Sequence, residues 1–285
     1  MRWSPRLSLN TKNPDKMARK KQKLSLGLRL LQAVRTYGWI GIALIVAMLA
    51  ISAITAREAS HVVTVAPVVL PLPDGEALVT EEELLDLLSR SFTKPMDELS
   101  LADIDVERVE RVLEGQAFVA DADAYVDAKL QLNIEVTQRV PLLRVIANNT
   151  QNYYLDENGV RMPLSDAYTA RVPVVTGNVV VWSRNFMEDE THQLTELVEL
   201  AHYLRTDDFL DALVEQIYVN NQGELILAPK VGDQIIYLGR YDKKQTPARL
   251  RRLKTFYREG LPYEGWRKYS SFDLRYADQV VAQKR

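Results

Sequence analysis

The spacing of apolar and polar residues divides this chain into stretches of different period. Gly38 to Ala56 carries no charge and is mostly Ile, Leu, Val and Ala, close to the ~20 residues a helix needs to cross a hydrocarbon core. A cleaved signal peptide has a short charged start and an apolar run of only ~7–15 residues. A core helix is the third reading, and the length of the run favours an uncleaved anchor over both. Beyond it, "HVVTVAPVVLPLPDG" is a valine-rich strand stopped by Pro71, Pro73 and Gly75. "TEEELLDLLSRS" has Thr80 and Glu83 in capping-box spacing with Leu84, Leu87 and Leu88 on one face. "DIDVERVERVLEGQ" is a second helix, with Asp105 as N-cap, Val109 and Leu113 inward and Gly115 as its stop. Two strands follow that meet near Asp127 to Lys129, and in the second Leu130, Leu132, Ile134 and Val136 alternate with polar residues. Leu84, Leu87, Val109, Leu113, Leu132 and Ile134 are the expected core of this strand-helix-helix-strand-strand unit.

Past Pro141 the pattern changes. Asn158-Gly159 between hydrophobic flanks is a hairpin signal, because both residues tolerate the positive φ of a type I′ turn. "RVPVVTGN" is a short strand, and "HQLTELVELAHYLR" turns Leu194, Leu197, Val198, Ala201 and Leu204 to one helical face. "VEQIYVN", "ELILAP" and "QIIYLG" are three further strands. "TPARLRRLKTFYREG" is a helix with Thr246 as N-cap, Pro247 at its first position and Gly260 just past its end. The chain closes on "SSFDLRYADQVV", where Phe272, Leu274 and Tyr276 alternate with Ser271, Asp273 and Arg275 as in a strand with one buried face. A closing strand leaves an edge of unpaired backbone groups, which is either a hazard or a socket. The fold class is α+β: one transmembrane helix, a β-α-α-β-β unit, then a largely antiparallel β region with helices.

Charge adds a direction. The net charge is -2, so no global basic field points to nucleic acid. The first 36 residues, however, hold 10 Lys and Arg against Asp15 alone. By the positive-inside rule that end stays in the cytoplasm, with Tyr37 and Trp39 at the inner interface and residues from about Arg57 on the other side. Within the leader, "LSLGLRLLQAVR" puts Leu26, Leu30 and Ala33 on one face that could lie along anionic lipid; a loosely ordered basic tail is the plainer reading.

Candidate chemistry is sparse. The chain has no cysteine, which excludes thiol catalysis and cysteine metal sites. His61, His192 and His202 do not form the H-E-x-x-H spacing of a zinc protease. Asp121, Asp123 and Asp127 resemble the start of a calcium loop, but Val126 and Leu132 stand where an EF-hand needs glycine and a carboxylate. Neither a G-x-S-x-G elbow nor a phosphate-cradling glycine loop occurs. The basic run "PARLRRLK" is a candidate for acidic partners, lipid headgroups or glycan, or else a solvated helix face. The sequence assigns no catalytic, metal or cofactor residue. A cell-wall hydrolase or transferase with carboxylates brought together only in space, and a membrane-tethered sensor, remain as alternative classes.

"IDVERVERVLEGQAFVADADAYV" followed by "LQLNIEVTQRVPLLRV", the pair "YYLDENGVRMPL" and "RVPVVTG", and the end "FDLRYADQVV" together resemble the FtsQ/DivIB family of bacterial cell division proteins. Gln138 departs from the pattern, since the family commonly has glutamate there. The resemblance implies a basic cytoplasmic tail over 1–36, a transmembrane helix over 37–56, a POTRA-like domain over 57–141 and a C-terminal β domain over 142–285. It implies a non-enzymatic, single-pass scaffold of the division septum in the inner membrane, with its C-terminal domains periplasmic. The implied partners are FtsB-like and FtsL-like bitopic proteins and other divisome components. "DLRY" aligns with the segment near which the family binds its FtsB-like partner, so Arg275, Tyr276, Asp278, Gln279, Val280 and Val281 are the expected contact residues, added to by β-augmentation.

Overall fold

The computed structural model describes residues 37–56, 64–92, 104–148 and 151–285. The basic leader, its amphipathic stretch and His61 lie outside the described residues. Tyr37–Ala56 is a 20-residue helix, α1, with a mean hydropathy of 2.4 and none of that window buried. At 1.5 Å per residue it reaches ~30 Å, the thickness of a bilayer core.

The small sheet is built from β1 (Thr64–Leu70), β2 (Val119–Val126) and β3 (Gln131–Gln138), with α2 (Glu81–Ser91) and α3 (Val106–Glu114) between β1 and β2. Its order is β1-β3-β2, with β1 parallel and β2 antiparallel to β3. Local signals place both helices. Thr80 Oγ1 accepts from Glu83 N at 3.2 Å while Glu83 Oε2 accepts from Thr80 N at 2.9 Å, a complete capping box. Asp105 caps α3 through Arg108 N at 3.0 Å. Leu84, Leu88, Val109, Leu113, Leu132, Ile134 and Val136 form the core, and Leu87 packs at its margin only partly buried. Leu130 does not join the alternation. Asp127 Oδ1 accepts from Lys129 N and Gln131 N at 2.8 and 2.9 Å, closing a turn in which Leu130 sits at φ 63°, so the strand begins one residue later.

Gln138 is buried at the end of β3 and needs both ends of its amide. Its Oε1 accepts from Leu78 N at 2.7 Å and Val79 N at 3.3 Å, and its Nε2 donates to Leu70 O at 2.8 Å. A carboxylate there accepts the two N–H groups but has nothing to give Leu70 O.

The large sheet has nine strands in the order β12-β11-β10-β9-β8-β7-β4-β5-β6. These are β4 (Leu143–Ala147), β5 (Asn152–Leu155), β6 (Arg161–Met162), β7 (Val174–Gly177), β8 (Val214–Val219), β9 (Leu225–Pro229), β10 (Ile235–Gly239), β11 (Tyr269–Asp273) and β12 (Val281–Lys284). Antiparallel pairs dominate, and β4–β7, β7–β8 and β10–β11 are parallel. The crossovers are α4 (Gln193–Arg205) with α5 (Asp208–Leu213), and α6 (Gln245–Thr255) with α7 (Leu261–Glu264). Both pack their apolar sides on Val145, Val175, Ile217, Leu227, Ile236 and Phe272, the inward face of successive strands. The opposite face leaves Ile146, Tyr218 and Ile235 exposed.

Three expectations change here. The β5–β6 hairpin is not a two-residue I′ turn. Asp156 N bonds Val160 O and Gly159 N bonds Asp156 O, and only Gly159 (φ 75°) is left-handed, which is a three-residue loop with a glycine bulge. Asp156 Oδ1 fixes it by accepting from Asn158 N and Val160 N at 3.0 and 2.7 Å. Thr246 is inside α6, and the entry is capped by Asp242 Oδ1, which accepts from Lys244 N and Gln245 N at 2.9 and 2.7 Å. Gly260 does not end that helix. The chain passes through a π-helical turn at Phe256–Gly260 into α7 and stops at Gly265, φ 92°. A further change, at the closing strand, is described below.

Truncating Leu132 to Ala removes a fully buried side chain from the small core and is expected to cost ~2–5 kcal/mol. Gln138→Ala orphans two buried N–H groups and the half-buried Leu70 carbonyl and should cost ~1–3 kcal/mol. Denaturant midpoints measure both; an unmoved midpoint in either variant contradicts the corresponding packing.

Candidate functional site

The closing segment is two strands, not one. β11 ends at Asp273, and β12 returns antiparallel along its outer side with Asp273 opposite Val281, Phe272 opposite Ala282 and Ser271 opposite Gln283. The edge expected on β11 is therefore covered, and the end of the nine-stranded order is β12. Tyr276 is 53% exposed rather than buried beside Phe272 and Leu274, because the strand has already ended. Asp278, at φ 56°, takes the left-handed conformation that turns the chain back.

Two arginines build the corner. Arg275 folds onto its own strand: Nη2 donates to Asp273 Oδ2 at 2.7 Å, Nε to Oδ1 at 3.0 Å, and Nη1 to Glu224 Oε1 at 3.4 Å. Its guanidinium carbon lies 5.4 Å from the Tyr237 ring centroid. Its stem covers Gly239, where a Cβ would stand 2.8 Å from Arg275 Cγ. Arg252, on α6, donates from Nη2 to Leu274 O at 3.3 Å and Tyr276 O at 3.1 Å, with Asp278 Oδ1 4.0 Å from Nη1. Much of the basic run is thus spent internally. Arg249 satisfies Leu238 O and Arg240 O, and Lys254 bonds Asp207 at 2.5 Å, so the run is neither a free cationic face nor a merely solvated one.

Between α6 with its π-turn and the 278–280 segment lies a groove of about 720 Å³. Arg251, Phe256 and Glu259 form one wall, and Asp278, Gln279 and Val280 the other. Of the six residues expected at the site, Asp278 and Gln279 are exposed on this wall, and Val280 packs partly against the core. Tyr276 and Val281 (42% exposed) face solvent. Arg275 is occupied by its carboxylates. The sequence reading missed Arg252, Phe256 and Glu259; nothing in their local pattern distinguishes them from the rest of a helix. The separate strand β12 had a weak signal, the apolar run Val280-Val281-Ala282 after the turn-forming Asp278.

A second cavity, about 520 Å³, lies along α4 beside the β5–β6 loop. There Glu199 accepts from Tyr241 Oη at 2.9 Å and Lys243 Nζ at 2.8 Å. Burial opposes its ionisation, but those two donors outweigh it and hold the carboxyl below its ordinary range. Burial and the neighbouring Glu199 push Glu196 up. Both oxygens of Glu199 are taken by donors. No group of three or more His, Asp or Glu able to hold a metal occurs among the described residues.

A helix long and apolar enough to span a bilayer, a β-α-α-β-β unit and a mixed sheet ending on the β12 edge define a two-core α+β class. A family model described as FtsQ/DivIB, C-terminal related, matches residues 140–283, and the chain belongs to that family. It is also 31% identical over 161 residues to the cell division protein FtsQ of Rhodothermus marinus, an alignment covering 54% of this chain and 56% of that protein. The chain thus spans little more than half the length of this curated relative.

The hydrogen bonds from Arg275 hold the Asp273 carboxyl below its ordinary range. A depressed carboxylate stabilises the fold above its unfolded pKa, and that contribution disappears as pH falls through the folded one. The protection of the β12 amides relative to their intrinsic exchange rate should therefore fall on acidification below about pH 4, the ordinary Asp value. Asp273→Asn should flatten this dependence. An equally steep dependence in the variant would remove the pair from the corner's support.

Proposed function

We propose that this protein is a non-enzymatic scaffold of the bacterial division septum. It spans the cytoplasmic membrane once through α1, with its basic N-terminus in the cytoplasm and residues 57–141, a POTRA-like domain, and 142–285, a β domain, in the periplasm. It links early and late division proteins by binding FtsB- and FtsL-type bitopic partners through the β domain. The observation that carries this reading is the free edge of β12 beside the groove, inside the region the family model matches. The name of the Rhodothermus marinus relative, a cell division protein, supports the process.

The mechanism is strand addition. A partner segment laid along Val281–Lys284 pairs with the outer row of backbone groups, which gives affinity without regard to sequence. Selectivity comes from side chains flanking the row: Tyr276 and Val281 outside, and Phe256, Glu259, Asp278 and Gln279 at the groove. Arg275 and Arg252 act indirectly, by holding the corner from which β12 departs.

Tyr276→Ala combined with Val281→Glu alters two exposed side chains and should leave the fold intact. It is expected to weaken capture of the FtsB-type partner at least ~10-fold, as loss of a central interface contact does. Binding at wild-type strength by a normally melting variant would reject the edge. For topology, protease added to spheroplasts should digest the large C-terminal part; its survival until the membrane is disrupted would reverse the orientation.

A further inference from the structure

At the sheet end where β10 and β11 begin and β9 and β12 finish, two loops carry an unusual set of side chains. The β9–β10 turn presents Val231, 73% exposed, and the α7–β11 segment presents Tyr263, 91% exposed, and Trp266, 46% exposed. Single exposed apolar residues are ordinary, but a group of this kind marks a contact surface. The loops are tied together. Gln234 Nε2 donates to Trp266 O at 2.8 Å, Arg285 N to Lys268 O at 3.2 Å, and the Arg285 side chain pairs with Asp233. Beneath them, the Trp266 ring stands 5.7 Å from Tyr257 at 71°, so one side of the indole is anchored in the core. The platform is therefore held by backbone acceptors and a core aromatic.

The surrounding charge is predominantly positive. Residues 230–233, 263–268 and 284–285 contain Lys230, Arg267, Lys268, Lys284 and Arg285 against Asp233 and Glu264. Both carboxylates are already paired, with Arg285 and Lys268. Arg267 and Lys284 are exposed. The surplus is cationic in a protein whose net charge is -2.

We propose that this tip is a docking site for the surface of an anionic phospholipid bilayer. Tyr and Trp favour the headgroup region, where a ring is half wet, and Val231 enters the apolar boundary beside them. Arg267 and Lys284 meet the lipid phosphates, an attraction that decays within ~10 Å at 0.1 M salt. The contact is weak by itself. A chain that also carries a membrane span is held at high local concentration near a bilayer, so a weak second contact is populated. The site shares only Lys284 with the β12 edge and leaves the groove and the rest of that edge free for a partner.

The chain has no native cysteine, so a single Tyr263→Cys carries one environment-sensitive fluorophore. The full chain is reconstituted into vesicles of phosphatidylcholine alone and of phosphatidylcholine with phosphatidylglycerol. The expected result is a blue-shifted emission, quenched by headgroup nitroxide lipids, only in the anionic vesicles. It should revert at high salt and be abolished when Arg267→Glu and Lys284→Glu are added, two exposed positions whose reversal does not disturb the core. A fluorophore on Lys129→Cys, in the exposed β2–β3 turn, should stay water-like throughout. Water-like emission from position 263 in both vesicle types overturns the proposal. So does a shift independent of lipid charge that grows with protein density, which would mean a second copy covers the tip, or a shift produced only by added glycan.

Discussion

Phe272 is the side chain on which the architecture of the closing region depends. Fully buried on β11, it meets Phe256 at 5.1 Å, Tyr257 at 5.6 Å and Tyr269 at 6.0 Å between ring centroids, all tilted or edge-on. Such pairs each add ~0.5–1.5 kcal/mol beyond the area they bury. The π-helical turn at Phe256–Gly260 is what brings adjacent residues 256 and 257 to bear on one strand. It also explains Gly260, where a Cβ would lie 2.9 Å from the Phe256 ring. Together with Leu250 and Leu253 this cluster sets the height of α6 above the sheet, from which Arg252 reaches the carbonyls of Leu274 and Tyr276.

From that packing the edge follows. The cluster fixes β11 against β10, Arg252 and Arg275 fix the corner after it, and Asp278 reverses the chain so that β12 lies outermost. Proteins usually blunt such an edge with charge, brevity or a covering element. Here the strand is short, Lys284 and Arg285 guard one end, and Val281 remains exposed on the other. In the proposed function this leaves the edge protected against indiscriminate pairing and open to a segment that also suits the groove.

Much of this was legible in the sequence wherever the determinant was local. Thr80 with Glu83, Asp105 and the leucine faces of α2, α4 and α6 place helices because capping and helical period act over a few residues. The strands β8, β9 and β10 were legible as short β-branched runs between turns. What escaped was set by unusual local backbone or by contacts distant along the chain. Leu130 takes a positive φ that leucine rarely adopts, held by the Asp127 turn, Asp278 takes the left-handed conformation that Asp tolerates, and Gly260 reads as a helix stop until the Phe256 ring above it is seen. The basic residues of α6 look solvated because the carbonyls they satisfy belong to β10 and the β11 corner. The six residues named for the site lie between the β11 corner and the start of β12. That β12 is its own strand, and that Arg275 is turned inward, required the fold.

Residue-resolved amide exchange of Val281–Lys284, with and without an FtsB-type partner, tests the central claim most directly. The β12 edge account predicts rapid exchange of the outward amides in the free protein and strong protection on binding, with the exposed sheet face at Ile146 and Tyr218 unchanged. Protection confined to that face, with the β12 amides still exchanging freely in the complex, would contradict it.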